Sequence, residues 1–175
     1  MGVLTALAAA LAGCGDTAAR SATPTVTVDA SGTQYRDQAY VDDGYPRHLF
    51  DLAVPPPGGA PAPLVVFVHG GGWRTGDKST LTESGSMGLP QWRDQLLAHG
   101  YAVASVNYRL SGDATYPAPI HDVKAAVRHL RANAARYGLD PARFVAIGES
   151  AGGHLALLLA MTPDDAATDG TLGTT

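Results

Sequence analysis

The chain has 175 residues, of which 45% are hydrophobic and 16% are charged, a balance typical of a globular domain with a packed core rather than a disordered segment. Its net charge of -4, and the lack of any run of lysine and arginine interleaved with aromatic residues, argue against a nucleic-acid partner. The single cysteine, Cys14, excludes an internal disulfide framework and a cysteine-based zinc site.

The N-terminal residues include an alanine- and leucine-rich run, residues 3–11, that is too short to span a bilayer and is typical of a signal-peptide core. The run ends in Leu11-Ala12-Gly13-Cys14, which resembles the processing site of bacterial lipoproteins. Residues 1–14 are therefore predicted to be a lipoprotein-type signal segment, with a lipid on Cys14 attaching the protein to the cell envelope. Because no basic residue precedes Arg20, either the true start lies upstream or this is an apolar N-terminal segment without an export role. The alternative to a lipoprotein is an ordinary cleaved signal, and hence a secreted protein, or a frayed terminus.

Residues 15–32 are rich in serine, threonine, alanine and aspartate, and they are predicted to form a flexible linker. Within this linker, residues 25–29 alternate enough to be a candidate first strand. A further early strand is predicted over residues 47–54, closed by the proline- and glycine-rich stretch 55–59.

Beyond residue 60, predicted strands and helices alternate. The run 64–68 is continuously apolar, as in a strand buried on both faces of a parallel sheet. The other predicted strands cover residues 101–108 and 143–147. The predicted helices cover residues 88–100, residues 155–161, and an apolar stripe from Ile120 to Ala134 that ends at Gly138. This alternation predicts an α/β fold with a mostly parallel sheet and helices on both faces.

The sequence Gly148-Glu149-Ser150-Ala151-Gly152 fits a nucleophile elbow, the sharp turn that lifts a serine hydroxyl out of a sheet edge. A turn this tight brings the positions two before and two after the serine together, so only glycines fit there. The motif lies between a predicted strand and a predicted helix, which is the context that it requires. Ser150 is therefore a candidate nucleophile.

A second motif, His69-Gly70-Gly71-Gly72, directly follows the buried strand that ends at residue 68. Successive glycines allow backbone N–H groups to point at one spot, which is how acyl-transfer enzymes build an oxyanion hole. Together with the amide of Ala151, the amides of Gly70 and Gly71 are predicted to stabilise a tetrahedral oxyanion, at about 3 kcal/mol per donor.

These motifs resemble those of bacterial carboxylesterases in the HGGG-containing esterase and lipase group, near its feruloyl-esterase-like and hormone-sensitive-lipase-like branches. The resemblance implies an α/β-hydrolase fold and a small-molecule carboxylic ester substrate. It also implies an acyl-enzyme on Ser150 and no metal or other cofactor. Residues 33–175 are then expected to be the N-terminal portion of the domain, lacking its C-terminal part. The segments that carry the resemblance are 66–73, 76–79, Val106-Asn107-Tyr108-Arg109-Leu110, Tyr116-Pro117-Ala118 and 148–154.

In this fold the catalytic acid and then the catalytic histidine follow the serine along the chain. No histidine follows the aspartates that lie after Ser150, so the sequence assigns neither role. Two alternatives therefore stay open beside the esterase. One is a non-catalytic remnant or acyl-binding module, and the other is an amidase or formamidase relative. The aspartates that follow Ser150 in the chain are Asp164, Asp165 and Asp169.

The remaining histidines near the motifs are predicted to have structural roles. His154 lies one helical turn beyond Ser150 and would need an acidic partner to serve as a base. His121 and Asp122 are adjacent, and adjacent helical residues do not face each other, so Asp122 is expected near a helix start instead. His69 is expected to shape the glycine loop.

Three further residues near the motifs have open or local roles. Asp77 is predicted to cap a helix or turn. Trp73 and Tyr108 are each expected either to line the acyl pocket or to pack in the core, and the sequence does not decide between the two.

Overall fold

The computed structural model describes residues 23–82 and 88–173. The predicted signal segment with Cys14, and the first part of the predicted linker, lie outside the described residues, so lipid attachment and the envelope location stay predictions. In the described ranges, no helix has the length and apolar character needed to cross a membrane.

The described residues form six strands and five α-helices, with one short 3-10 helix at Lys78–Leu81. The strands are β1 Thr25–Asp29, β2 Gly32–Ala39, β3 Leu49–Val54, β4 Ala62–Val68, β5 Ala102–Val106 and β6 Leu139–Gly148. The helices are α1 Leu89–Ala98, α2 Ala118–Ala132, α3 Ala134–Tyr137, α4 Ala151–Met161 and α5 Ala166–Asp169.

The strands form one mixed sheet in the order β1-β2-β3-β5-β4-β6. Strand β4 is parallel to β5 and to β6, whereas β1, β2 and β3 run antiparallel to their neighbours. Val68, the last residue of β4, is in register with Val106 of β5 and with Gly148 of β6. Because parallel strands end together at this edge, the three segments that follow them meet there.

Helices cover both faces of the sheet, as the strand pattern predicted. Leu64, Val66 and Val68 of β4 belong to the main core cluster, which also contains apolar residues of α2 and α4. Phe67 points to the other face, where it packs in a smaller cluster with Trp92 of α1. This alternation follows from the period of two along a strand.

Two elements differ from the sequence prediction. The predicted helix from Ile120 to Gly138 is divided at Asn133, which ends α2 and begins α3. Strand β2 was not predicted, because its polar sequence lacks an apolar alternation. It forms because it pairs on one side with β3 and on the other with β1. Strand β1 confirms the candidate first strand and lies inside the predicted linker, so the sheet begins at Thr25, before residue 33.

Candidate active site

Ser150 lies between the end of β6 at Gly148 and the start of α4 at Ala151, which confirms the predicted strand-turn-helix context. Its backbone angles are φ 51° and ψ -117°, a conformation that is costly for a residue with a side chain. Ser150 is exposed at the sheet edge. The strained turn thus presents the serine hydroxyl to solvent at the N-terminal end of a helix.

The glycines of this turn are there because neighbouring backbone leaves no room for a side chain. A Cβ atom on Gly148 would overlap the carbonyl group of Gly152, which confirms the predicted reason for the glycine at position 148. A Cβ atom on Gly152 would overlap the carbonyl oxygen of Val68. The elbow is therefore packed tightly against the end of β4 as well as against itself.

Replacing Gly152 with alanine is expected to destabilise the fold by roughly 3 kcal/mol, because the added methyl group meets backbone that cannot move aside. The matched control is Gly58→Ala, since nothing lies within 4 Å of a Cβ atom at Gly58. Denaturant unfolding of both variants measures the difference. Equal stability of the two variants would contradict the tight contact between the elbow and β4.

The glycine loop after β4 lies directly against the elbow. A Cβ atom on Gly70 would be 2.9 Å from the carbonyl oxygen of Glu149 and 3.4 Å from the Cβ of Ser150. Among the described residues, the amides of Gly70, Gly71 and Ala151 make no hydrogen bond to the chain. The Ala151 amide also lies in the first turn of α4, where the helix dipole is positive. Free N–H groups and a serine hydroxyl thus share one edge of the sheet.

His69 is buried beneath this loop, with 1% of its surface exposed. Its ring stacks on the ring of Tyr108 at a centroid distance of 4.4 Å, and its Nδ1 lies 2.8 Å from the carbonyl oxygen of Gly70. Burial lowers the pKa of His69, so the ring is neutral near pH 7 and Nδ1 carries the proton that it donates to Gly70. These contacts support the predicted role of His69 in shaping the loop.

Asp77 closes the far end of the loop and caps the 3-10 helix, as predicted, because its carboxylate accepts a hydrogen bond of 2.9 Å from the amide of Ser79. Gly76 precedes it with φ 103°, and a Cβ atom there would overlap the ring of His69. The loop therefore folds back on its first residue.

A mainly apolar cavity of about 320 Å³ opens beside the glycine loop. Trp73 forms one wall and meets the ring of His154 edge to face, with ring centroids 5.4 Å apart. Its backbone has φ 58°, which is rare for a bulky residue, and its carbonyl accepts a hydrogen bond of 2.7 Å from the Ser111 amide. The lining residues are Gly72, Trp73, Arg74, Ser111, Ala114, Tyr116, Pro119, His154 and Leu155.

The structure separates the two aromatic residues whose roles the sequence left open. Trp73 lines the cavity and is 37% exposed, whereas Tyr108 is fully buried and packs under the loop. Sequence reasoning missed Ser111 and Ala114 as wall residues. No local pattern marks them, although Tyr116 beside them belongs to one of the segments that carried the resemblance.

His154 lies one helical turn from Ser150, since its amide donates a hydrogen bond of 3.1 Å to the Ser150 carbonyl. Its ring contacts Trp73, and no carboxylate in the described part of the chain forms an ion pair with it. The orienting acid that a catalytic histidine needs is therefore not beside it within those residues.

His121 and Asp122 do not form a dyad, in agreement with the sequence prediction. The Nε2 of His121 lies 3.0 Å from the carbonyl oxygen of Ala167, whereas Asp122 is buried and pairs with Arg109. The expected place of Asp122 at a helix start was inaccurate, because α2 begins at Ala118 and Asp122 lies one turn further on.

Two of the three aspartates after Ser150 have structural contacts. Asp165 caps α5, and Asp169 forms an ion pair with Lys124. No group of three or more histidine, cysteine, aspartate or glutamate residues within 23–82 and 88–173 is arranged to hold a metal ion. What the described chain brings together is a serine, three free amides and an adjacent cavity.

Comparison with known proteins shows that this chain is similar to ester hydrolases. Residues 50–175 match the BD-FAE family model. The chain is similar to the carboxylesterase NlhH of Mycobacterium tuberculosis, with 39% identity over 103 residues that cover 59% of this chain and 30% of the relative. It is also similar to the kynurenine formamidase avaC of Aspergillus versicolor, with 40% identity over 112 residues, 57% of this chain and 36% of the relative. The chain thus spans about a third of the length of these curated relatives.

Solved structures of esterases share the fold of this chain. A truncated carbohydrate esterase from gut microbiota superimposes with a TM-score of 0.68 at 30% identity, covering 85% of this chain and 53% of that one. Esterase B from Lactobacillus rhamnosis superimposes with a TM-score of 0.61 at 30% identity, covering 73% of this chain and 38% of that one.

Proposed function

Because this chain belongs to the BD-FAE family and shares its fold with carboxylesterases of the α/β-hydrolase type, we propose that it is the nucleophile-bearing part of a carboxylic ester hydrolase. The nucleophile is Ser150. The observation that carries this proposal is the strained turn at Ser150, packed against a loop whose Gly70 and Gly71 amides are free. Strain held at an exposed serine is typical of functional sites.

The proposed reaction uses these groups together with a general base that is not one of them. The Oγ of Ser150 attacks the ester carbonyl, its proton passes to a general base, and the carbonyl oxygen becomes negative. The amides of Gly70, Gly71 and Ala151 donate hydrogen bonds to that oxygen. The tetrahedral intermediate then expels the alcohol, which takes the proton from the base, and leaves an acyl group on Ser150. Water then attacks the acyl carbonyl and gives its proton to the base, and the second tetrahedral intermediate expels the Oγ of Ser150, which takes that proton back as the acid is released.

The cavity beside the loop suits the apolar part of the ester. Trp73, Pro119 and Leu155 give it apolar walls, and Gly72 joins it to the loop that carries the amides. Apolar walls close to a few convergent polar groups are typical of small-molecule sites. We therefore place the acyl or alcohol group of the substrate against Trp73.

Labelling of the full gene product with a fluorophosphonate tests the nucleophile. Because such a probe reacts with activated serines, we expect one adduct per molecule, located on Ser150 by mass spectrometry of the digested protein. Hydrolysis of p-nitrophenyl acetate and butyrate is measured on the same sample. An adduct on another serine would contradict the assignment. Absence of both labelling and turnover would favour the non-catalytic acyl-binding module.

An amide substrate is the second candidate, because the formamidase avaC is as similar to this chain as the carboxylesterases are. Both reactions pass through a tetrahedral oxyanion, so the amides of the glycine loop serve either. The two candidates are separated by comparing kcat/KM for a p-nitrophenyl ester with kcat/KM for an N-formyl arylamine of similar size. A higher value for the ester supports the proposed function, and a higher value for the amide supports the alternative.

A further inference from the structure

Strand β5 leads into Tyr108, whose side chain lies fully buried beneath the glycine loop. Its hydroxyl donates a hydrogen bond of 2.9 Å to the carbonyl oxygen of His69 and lies 3.4 Å from the carbonyl oxygen of Gly70. The Tyr108 ring is held in turn by stacking on the ring of His69. Tyr108 is not among the residues that line the cavity.

These two carbonyls belong to the peptide groups that carry the free amides. The His69 carbonyl and the Gly70 amide form one planar peptide group, and the Gly70 carbonyl and the Gly71 amide form the next. In a trans peptide group the C=O and N–H bonds point in opposite directions. A donor that holds the carbonyl oxygen therefore also sets the direction in which the amide on the other side points.

Both carbonyl oxygens are held by buried donors. The His69 carbonyl accepts from Tyr108, and the Gly70 carbonyl accepts from Nδ1 of His69 at 2.8 Å. The third free amide, that of Ala151, follows the same pattern, because the Ser150 carbonyl accepts from the His154 amide. A hydrogen bond accepted at the carbonyl also polarises the peptide group, which makes its N–H a stronger donor.

The hydroxyl of Tyr108 keeps its proton over the working range of pH. Burial raises the pKa of Tyr108 to about 12, so the group acts as a donor at any pH at which an ester hydrolase works. The His69 ring is neutral in the same range and offers one N–H, which it directs at the Gly70 carbonyl. Tyr108 and His69 therefore both keep the protons that they donate to the loop over this range of pH.

We propose that Tyr108 is a positioning residue for the oxyanion-binding amides. Its hydroxyl fixes the peptide group between His69 and Gly70, so that the Gly70 amide points at the oxyanion of the transition state. This inference rests on the proposed function. It goes further because it assigns to Tyr108, a buried side chain outside the cavity lining, an indirect contribution to binding of the transition state.

The test compares Tyr108→Phe with wild type in the full gene product. The phenylalanine ring keeps the stack on His69 and removes only the hydroxyl. We expect kcat for p-nitrophenyl butyrate to fall about three- to tenfold, the equivalent of one hydrogen bond, with KM changed less than about twofold. The inhibition constant of a trifluoromethyl ketone, which forms a tetrahedral adduct on serine, should rise by the same factor as kcat falls.

The matched control is Tyr137→Phe, which removes a hydroxyl from a tyrosine that is 3% exposed in α3. Its kcat, KM and inhibition constant should equal those of wild type. Unchanged kcat and inhibition constant in Tyr108→Phe would overturn the inference. A rise in KM matched by an equal fall in kcat/KM would overturn it as well, because that pattern indicates weaker binding of the substrate with an unchanged transition-state contribution to kcat. Wild-type turnover that does not require Ser150 would overturn the proposed function and this inference together.

Incorporation of 3-fluorotyrosine at position 108 gives a second measurement if Tyr108→Phe does not fold. The substituted hydroxyl is a stronger donor in a side chain of nearly the same size. A kcat above that of wild type supports the inference, and a kcat at or below that of wild type overturns it.

Discussion

Replacement of Ser150 with alanine is expected to lower kcat for p-nitrophenyl butyrate by roughly 10⁴-fold or more in the full gene product. In the proposed mechanism the variant loses the atom that forms the acyl-enzyme, whereas the free amides of Gly70, Gly71 and Ala151 remain. The structure of the turn should persist, since alanine fits wherever serine does. Initial rates of p-nitrophenyl butyrate hydrolysis by wild type and variant at equal protein concentration measure the loss of kcat.

A second substitution at the same position separates chemistry from folding. Ser150→Gly also removes the hydroxyl, but it relieves the strain of a side chain at φ 51°. This variant should therefore be inactive and about 1 kcal/mol more stable than Ser150→Ala in denaturant unfolding. Retention of more than a tenth of wild-type kcat in either variant would rule out Ser150 as the nucleophile.

The second large effect is expected at Asp122, which is completely buried in α2. Its carboxylate accepts hydrogen bonds from the Nε, the Nη2 and the backbone amide of Arg109, and its Oδ1 lies 3.5 Å from Nε2 of His48. Asp122→Ala leaves Arg109 and His48 without this partner. We expect it to destabilise the fold by about 3 kcal/mol or more.

The control for Asp122 is Asp140→Ala, which removes one partner of the exposed ion pair between Asp140 and Arg143. That pair is solvated, so its loss should have a far smaller effect. Urea unfolding at pH 7 measures both variants. Equal losses would show that the buried pair contributes no more than an exposed one.

The effect of Asp122 should also depend on pH. Burial raises the pKa of this carboxyl, but the facing side chains of His48 and Arg109 outweigh burial and hold the pKa below its ordinary value of 3.8. A carboxyl with a lowered pKa stabilises the fold above the unfolded-state value, and that stabilisation is lost as the pH falls through the folded-state value. The difference in stability between wild type and Asp122→Ala should therefore shrink below about pH 4.

Part of this site follows from the sequence because its causes are local. The continuous apolar run of β4 and the glycines on either side of Ser150 depend on neighbours within a few residues. The elbow and the glycine loop were therefore predicted at the positions where the structure has them. The helical stripe of α2 was predicted for the same reason, because one buried face repeats along the helix.

Only the tertiary structure decided the partners of residues that lie far apart in the chain. The bond from Tyr108 to His69 and the pair of Arg109 with Asp122 join positions 39 and 13 residues apart. They exist because β5 lies between β3 and β4, so the segment after β5 runs beneath the glycine loop and beside α2. Strand order is set by the packing of the whole sheet and leaves no local pattern. For this reason the sequence identified the candidate serine and its glycine loop, and the fold alone assigned Tyr108 to the support of that loop and Trp73 to the cavity.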